Sequence, residues 1–242
     1  MSDLLDVREV SKSFRGLKAV SDASFVIPEG SINALIGPNG AGKTTIFNMI
    51  AGVFAPDAGE IKFMGNEIQG LRPDQVCAAG IGRTFQIVKP FAGLSVLDNV
   101  MVGSFLKEKT AAGAKRVALE ILKKLNLGSK TDRPASSLTL PDRKRLEVAR
   151  ALATRPKLLL LDEVMAGLRP TECDQMVEVF RGLNKADGLA ILLIEHVMRA
   201  VMALAQHIGV LHHGVVIARG TPEQIVRDPA VLECYLGEET EI

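Results

Sequence analysis

A glycine-rich stretch, Gly37–Thr45, constrains this chain more than any other part of its sequence. It matches the spacing GxxxxGK[ST], in which glycines let consecutive backbone N–H groups turn inward around an anion. Lys43 adds a full positive charge there, and the Thr44 hydroxyl can hold Mg²⁺. A strand-like run at 31–36 precedes the stretch, and apolar residues at helical spacing follow at 46–50. Since a helix starting there points its positive end at phosphate, the pattern predicts a nucleotide phosphate site.

A pair of acidic residues, Asp162 and Glu163, follows the apolar run Leu158–Leu161. Ligands gather at the carboxyl ends of buried parallel strands. We therefore expect Asp162 to reach Mg²⁺ and Glu163 to polarise an attacking water as a general base. Alone, such a pair is as often a plain strand end, but the phosphate loop favours the functional interpretation. The residues predicted to contact the nucleotide are Gly37, Pro38, Asn39, Gly40, Ala41, Gly42, Lys43, Thr44 and Thr45.

The hydrophobic pattern indicates an α/β fold. Leu158–Leu161 and Leu189–Ile194 are wholly apolar runs, and such strands alternating with helices predict a parallel sheet covered on both faces. Near the N-terminus, Leu5–Val10 and Ala23–Pro28 alternate as strands do, and Gly59–Asn66 is typical of a strand and turn.

The segment 94–137 changes to a helical pattern. One helix is predicted around Val96, Val100 and Met101, and another from Val117 to Leu125, with Leu119, Ile121 and Leu122 among its apolar residues. Between Lys107 and Ser137 there are 8 basic and 3 acidic residues. This excess is typical of a solvated helix face, and a surface facing a membrane or partner is the alternative. The tail, 222–242, is predicted to form a short helix with an acidic end.

Composition narrows the class of protein. With 24% charged and 47% hydrophobic residues in a chain of 242, we expect one globular domain over 1–242. A net charge of +1 and only 4% aromatic residues argue against a nucleic-acid partner. Cys77, Cys173 and Cys234 lie far apart without metal-ligand spacing, which favours a reducing compartment over disulfides or zinc.

No segment of the sequence is expected to cross a membrane. The longest clean apolar stretch, Leu189–Ile194, is far shorter than the roughly 20 residues that a helical span requires. The N-terminal Met1-Ser2-Asp3 begins acidic and shows no basic-then-apolar leader. We expect a cytoplasmic protein that reaches a membrane only by docking on another chain.

The loop, the acidic pair and their spacing resemble the ATP-binding subunit of an ABC transporter, from about Leu5 to Gly237. Gly37–Thr45 looks like Walker A, and Leu158–Asp162 looks like Walker B with Glu163 as the catalytic carboxylate. The resemblance implies ATP and Mg²⁺ as ligands. It also implies a P-loop core with an N-terminal antiparallel β part and a helical subdomain at about 90–150.

Three single residues take roles from the same resemblance. Arg83-Thr84-Phe85-Gln86 looks like the Q-loop, so Gln86 would contact Mg²⁺ and signal to a membrane subunit. His196 looks like the switch histidine that senses γ-phosphate, and Phe14 stands where the family stacks an aromatic ring on adenine. Outside this context, a lone His or Phe would more often be structural.

Within the family, the chain looks most like the branched-chain amino acid uptake group. The features are RTFQ together with Leu94–Val100, Ala166–Leu168, Gly220–Glu223 and Tyr235–Gly237. The resemblance implies ATP hydrolysis that drives import. The implied partners are a second ABC ATPase subunit, two transmembrane permease subunits and an extracytoplasmic substrate-binding protein. The chain would then sit on the inner face of the cell membrane.

Two positions depart from the family pattern. The signature motif is Leu138–Asp142 where LSGGQ is usual, and Arg169 stands where the D-loop carries Asp. Pro141 has no N–H to donate to a phosphate. Thr139 and Asp142 also have the spacing of a helix capping box. Because both motifs act across a dimer interface, we predict unequal ATP sites and a distinct second cassette.

Three other functions stay open from the sequence. One is a soluble ABC-type ATPase in repair, translation or cofactor assembly, although no coiled coil, tandem cassette or special insert is visible. Another is a regulatory nucleotide-binding module without turnover, against which Glu163 and His196 argue. A P-loop kinase for a small molecule is disfavoured because no acceptor pocket or lid is evident.

Overall fold

The computed structural model describes residues 3–86 and 89–236. In these residues the strands are β1 Asp3–Phe14, β2 Leu17–Pro28, β3 Ile32–Ile36, β4 Ala58–Phe63, β5 Asn66–Glu67, β6 Ile81–Arg83, β7 Leu158–Asp162, β8 Ala190–Ile194, β9 His207–His212 and β10 Val215–Gly220. The helices are α1 Lys43–Ile50, α2 Pro73–Ala79, α3 Val96–Ser104, α4 Ala111–Lys124, α5 Leu140–Leu152, α6 Pro170–Asp187, α7 Met198–Leu204, α8 Pro222–Ile225 and α9 Pro229–Leu236.

A six-stranded sheet in the order β10-β9-β3-β8-β7-β6 forms the centre of the fold. Its strands are parallel except β10, which runs antiparallel to β9. β3, β7 and β8 are buried along their whole length, as the apolar runs Leu158–Leu161 and Leu189–Ile194 predict for the last two. The predicted α/β fold with a covered parallel sheet is confirmed.

The two faces of this sheet pack against different layers. Alternate strand residues such as Leu159 and Leu161 join an apolar cluster with the helices α3 to α7. Their neighbours Leu158 and Leu160 join a second cluster with α1 and the N-terminal strands. Those strands form a separate antiparallel sheet in the order β2-β1-β4-β5, which confirms the predicted N-terminal β part.

The helical segment forms three α-helices, α3 to α5, and two 3₁₀ turns at Gly128–Lys130 and Ala135–Ser137. The first two helices lie where the apolar spacing places them. The prediction that Leu119 belongs to the apolar face of this helix is wrong. Its side chain is 40% exposed, and its neighbours Ala118 and Leu122 lie on the buried face of α4. The division into a single domain over 1–242 with a helical subdomain at 90–150 remains a prediction.

The C-terminal part differs from its sequence-based description. Residues 222–236 form two helices, α8 and α9, whereas the sequence predicts a single short helix, and the acidic end beyond 236 lies outside the described residues. β9 and β10 form a hairpin that the apolar pattern did not predict. Across the described parts of the chain, no helix is both long and apolar enough to cross a membrane.

Candidate functional site

The carboxyl edge of the parallel sheet gathers the sequence motifs. β3 leads into the glycine-rich loop, β7 ends at Asp162, β8 leads to His196, and β6 is followed within three residues by Gln86. Because β8 lies between β3 and β7, residues far apart in the chain meet at one edge. This is the edge at which parallel sheets bind ligands.

The loop requires glycine at two positions for steric reasons. Gly37 has φ +146°, and a Cβ there would lie 1.9 Å from the carbonyl oxygen of Leu211. Gly42 has φ +104°, and its Cβ would lie 2.4 Å from the carbonyl oxygen of Ala19. Any other residue would therefore displace backbone that belongs to the sheet or to β2. Contact of this loop with phosphate remains a prediction.

The loop continues into α1, which begins at Lys43. In the described part of the chain, no side chain caps this N-terminus and no acidic residue lies in its first turn. The Lys43 ammonium is buried and donates hydrogen bonds to the carbonyls of Gly37 (2.6 Å) and Pro38 (2.7 Å). Thr44 is exposed and Thr45 is half-buried. The positive helix end and the ammonium thus face the same loop, as an anion site requires.

Asp162 is a buried carboxylate with one oxygen available. Its Oδ2 accepts a hydrogen bond from Arg83 at 3.1 Å, whereas Oδ1 has no partner among the described residues. Burial raises the pKa of Asp162, and the neighbouring Arg83 partly opposes this. An unpaired buried carboxylate oxygen is costly unless a ligand satisfies it. Together with the exposed Thr44 hydroxyl, it fits the oxygen ligands that Mg²⁺ prefers.

Glu163 lies between two of the predicted site residues. Its Oε2 accepts a hydrogen bond from Gln86 Nε2 at 2.7 Å, and its Oε1 lies 3.1 Å from His196 Nε2. The side chain is 17% exposed and that of His196 is 44% exposed, so water can reach the pair. The structure therefore brings together three residues that the sequence separates by 77 positions (Gln86 and Glu163) and 33 positions (Glu163 and His196).

Phe14, at the end of β1, is 43% exposed. Its ring meets Phe54 edge-on, with the centroids 5.3 Å apart, and the Lys12 ammonium lies 5.8 Å from its centre. An exposed ring held by neighbours is compatible with stacking on a base. Its adenine contact remains a prediction.

Three charged residues contact the site residues or lie beside them, and the sequence did not predict this. Arg83 joins Asp162 to Asn48 of α1, with its Nη1 donating to Asn48 Oδ1 at 2.7 Å. Lys144 is buried and donates to the carbonyl of Glu163 at 3.0 Å. Glu195 is 1% exposed. Only their positions in the sequence could have indicated such a role for two of them. Glu195 directly follows the apolar run of β8, and Arg83 lies in RTFQ.

The predicted capping box at the start of α5 does not form. Thr139 is the N-cap and Asp142 the third helical residue, but the Thr139 hydroxyl donates to Asp142 Oδ2 at 2.9 Å and does not cap a backbone N–H. Lys130 also binds this carboxylate, and Arg145 lies 3.7 Å away. Burial favours the neutral acid, yet these partners lower the pKa of Asp142. Its charge is therefore neutralised within the chain.

Arg169, at the predicted D-loop position, is the exposed N-cap of α6. Its N–H donates to the Glu172 carboxylate at 2.8 Å, so the helix start is stabilised locally. No contact among the described residues explains why Arg stands at this position.

Known protein families and individual proteins resemble this chain over most of its length. The ABC transporter family model matches residues 20–166, and a model for branched-chain amino acid ATP-binding cassette transporters matches 215–241. The chain is 38% identical to the high-affinity branched-chain amino acid transport ATP-binding proteins BraF of Pseudomonas aeruginosa and LivG of Escherichia coli, covering 97% of this chain and 98% of each relative. It is 34% identical, over the full length of both chains, to the lipopolysaccharide export system ATP-binding protein LptB of Acidithiobacillus ferridurans.

A solved structure resembles the whole chain. The ADP conformation of MJ1267, an ATP-binding cassette of an ABC transporter, superposes with a TM-score of 0.89 at 30% identity and covers 98% of this chain and 100% of its own. The family model, the relatives and the shared fold agree with the loop and acidic pair found in the sequence. The chain therefore belongs to the ATP-binding subunits of ABC transporters and is an ATPase of that family.

Proposed function

We propose that the chain hydrolyses ATP to drive uptake of branched-chain amino acids, or a related small solute, through separate membrane subunits. The observation that carries the catalytic part is the placement of Glu163 between Gln86 and His196, at the sheet edge where β3 leads into the phosphate loop. The relatives BraF and LivG and the match at 215–241 support the branched-chain group.

Each site residue then has a chemical task. The loop amides and Lys43 bind the β- and γ-phosphates, and Asp162 and Thr44 hold Mg²⁺, which neutralises developing charge when bound. Glu163 accepts a proton from the attacking water, because its carboxylate is partly exposed and held by two neighbours. His196 contacts the γ-phosphate, Gln86 reaches the metal, and Phe14 stacks on adenine.

A groove beside the site is suited to a permease subunit. A cavity of about 240 Å³ lies between α2, β6 and α5, with Val53, Cys77, Phe85 and Glu147 in its wall. Phe85 is 58% exposed, and it directly precedes Gln86. A partner seated there would press on the segment that holds Gln86 against Glu163. A permease subunit seated there would attach the chain to the inner face of the cell membrane.

The second cassette is proposed to be a different protein. Pro141 lies in the first turn of α5 and cannot donate an N–H across the dimer interface. Asp142 adds no net repulsion, because Lys130 and Arg145 pair with it. The missing donor alone would weaken the ATP site that uses Leu138–Asp142, whereas this chain's own phosphate loop would pair with a standard signature.

Uptake by cells tests the proposed cargo. Deleting the gene should abolish high-affinity uptake of radiolabelled leucine, isoleucine or valine, and the intact chain should restore it while Glu163→Gln should not. The likeness to LptB offers a second candidate, an export system. Unchanged amino acid uptake together with a cell-envelope lipid defect would favour that candidate.

A further inference from the structure

Glu195 is a buried acid that the proposed chemistry does not use. It follows the last residue of β8 and is 1% exposed. Its Oε1 accepts a hydrogen bond from the backbone N–H of Met165 at 2.8 Å, and its Oε2 has no partner among the described residues. Since burying a half-satisfied carboxyl group destabilises a fold, the residue is a candidate for a role other than packing.

Three consecutive residues at the end of β8 hold the turn that follows β7. The carbonyl of Ile194 accepts the N–H of Glu163 at 3.0 Å, Glu195 accepts the N–H of Met165, and His196 Nε2 lies 3.1 Å from the Glu163 carboxylate. Glu195 and His196 thus contact the backbone and the side chain of the same turn. A strand end presents successive side chains to opposite sides, which allows both contacts.

The turn requires such support because Glu163 has an unfavourable backbone conformation. Its φ is +50°, a left-handed value that non-glycine residues seldom adopt without compensation. Lys144 of α5 adds a further contact by donating to the carbonyl of Glu163 at 3.0 Å. The segment carrying Glu163 is therefore held from β8 on one side and from α5 on the other.

We propose that Glu195 is a positioning residue for Glu163: its bond to the Met165 N–H fixes the turn so that the Glu163 carboxylate stays between Gln86 and His196. This proposal rests on the proposed catalytic role of Glu163. Glu195 acts through backbone alone and contacts neither nucleotide nor water in the reaction.

The contact that matters is acceptance of one hydrogen bond. A neutral carboxyl group and a carboxylate both offer Met165 an oxygen, and so does a carboxamide. Burial raises the pKa of Glu195 to about 7, so both forms of the acid are compatible with the bond near neutral pH. Glu195→Gln should therefore preserve the position of Glu163. Glu195→Met keeps the chain length but removes the acceptor.

The test measures backbone protection and kinetics on the same proteins. Hydrogen exchange of the full chain should be faster over 163–166 in Glu195→Met and unchanged there in Glu195→Gln. In the assembled transporter, Glu195→Met should lower kcat by roughly 10- to 100-fold, the effect of slight misplacement of a catalytic group, with the KM for ATP within about threefold. Glu195→Gln should restore kcat to within about threefold of wild type.

A matched control removes side-chain to backbone bonds elsewhere. Asn184 donates to the carbonyls of Gly30 (2.8 Å) and Leu189 (2.9 Å) at the opposite edge of the sheet, so Asn184→Ala should destabilise without changing kcat. A normal kcat in Glu195→Met, or an equal loss in Glu195→Gln or Asn184→Ala, would overturn the positioning role. If Glu195→Met does not fold, Glu195→Asp serves, because it withdraws the acceptor by one methylene and should lower kcat likewise.

A wrong catalytic role for Glu163 can be distinguished from a wrong positioning role for Glu195. If Glu163→Gln hydrolyses ATP normally, the assignment of Glu163 is wrong, whereas exchange at 163–166 still reports whether Glu195 holds the turn. Faster exchange in Glu195→Met with unaltered hydrolysis would leave Glu195 a structural residue only and refute the proposal.

Discussion

His196 Nε2 and Glu163 Oε1 lie 3.1 Å apart, at the ends of neighbouring strands β8 and β7. In sequence they are separated by 33 residues. The register pairs Asp162 with Ile194, so the residues following each strand meet directly. The candidate general base and the histidine thus share one hydrogen bond.

Glu163→Gln should bind ATP and hydrolyse it slowly. The amide keeps the shape of the side chain but cannot take a proton from water, and loss of a general base typically costs roughly 10²–10⁴-fold in rate. Single-turnover hydrolysis in the assembled transporter measures this, with ATP binding by equilibrium titration as the control. A wild-type rate would remove Glu163 from the chemistry.

Lys43→Ala should weaken nucleotide binding. The ammonium is buried in the loop, and a charge-assisted contact to phosphate is worth about 1.5–3 kcal/mol, or roughly ten- to a hundredfold in affinity. Titration with a fluorescent ATP analogue measures the change. Lys115→Ala, at an exposed position on α4, is a matched control. Unchanged affinity in Lys43→Ala would contradict the phosphate site.

The stability of the chain should depend on pH through Glu195. Its pKa is raised from 4.5 to about 7 on folding, chiefly by burial, while Lys144 and the Met165 N–H oppose the shift and Glu163 adds to it. Below pH 4.5 both states hold the proton. Between 4.5 and 7 the unfolded chain releases it first, so the free energy of unfolding falls with rising pH by up to about 3 kcal/mol.

Glu195→Gln lacks this titration, so its stability relative to wild type should rise from pH 5 to pH 7.5 and then level off. Urea unfolding of both proteins at several pH values measures the difference. Other buried acids with raised pKa values, such as Asp162 and Glu147, are present in both proteins and cancel. A difference that does not change with pH would show that Glu195 titrates normally.

Membrane attachment should require the permease subunits. The basic residues between Lys107 and Arg133 are partly used within the fold, since Lys124 pairs with Asp187 and Lys130 with Asp142. We therefore expect co-sedimentation with membranes only when the permeases are co-expressed. Stable binding to protein-free vesicles containing anionic lipid would show that this surface binds lipid directly.

The two ATP sites of the transporter should be unequal. Glu163→Gln should remove most ATPase activity, whereas the equivalent change in the partner cassette should remove less, because Pro141 lacks a donor worth about 1.5–3 kcal/mol to a charged acceptor. Strict coupling could equalise the rates, so nucleotide affinity is measured at each site. Equal affinities as well as equal losses would mean that the signature is not impaired.

Local physical chemistry made part of this protein predictable from its sequence. The phosphate loop depends on glycine conformations and a following helix start, which lie within about ten residues of one another. The strands β7 and β8 contain the short apolar runs Leu158–Leu161 and Ala190–Ile194, and such runs predict strands that are buried on both faces. The sequence could locate Asp162 and Glu163 at the end of a strand, because the end of an apolar run is visible in neighbouring residues.

Tertiary structure alone decided the contacts between distant segments. Arg83 reaches Asp162, Lys144 reaches the carbonyl of Glu163, and Glu195 reaches Met165 because the strand order and register bring them to one edge. The same holds for Asp142, whose spacing predicted a cap but whose carboxylate is bound by Lys130. Spacing in the chain sets what a residue can do locally, whereas burial and partners, which depend on packing, determine what a charged side chain does.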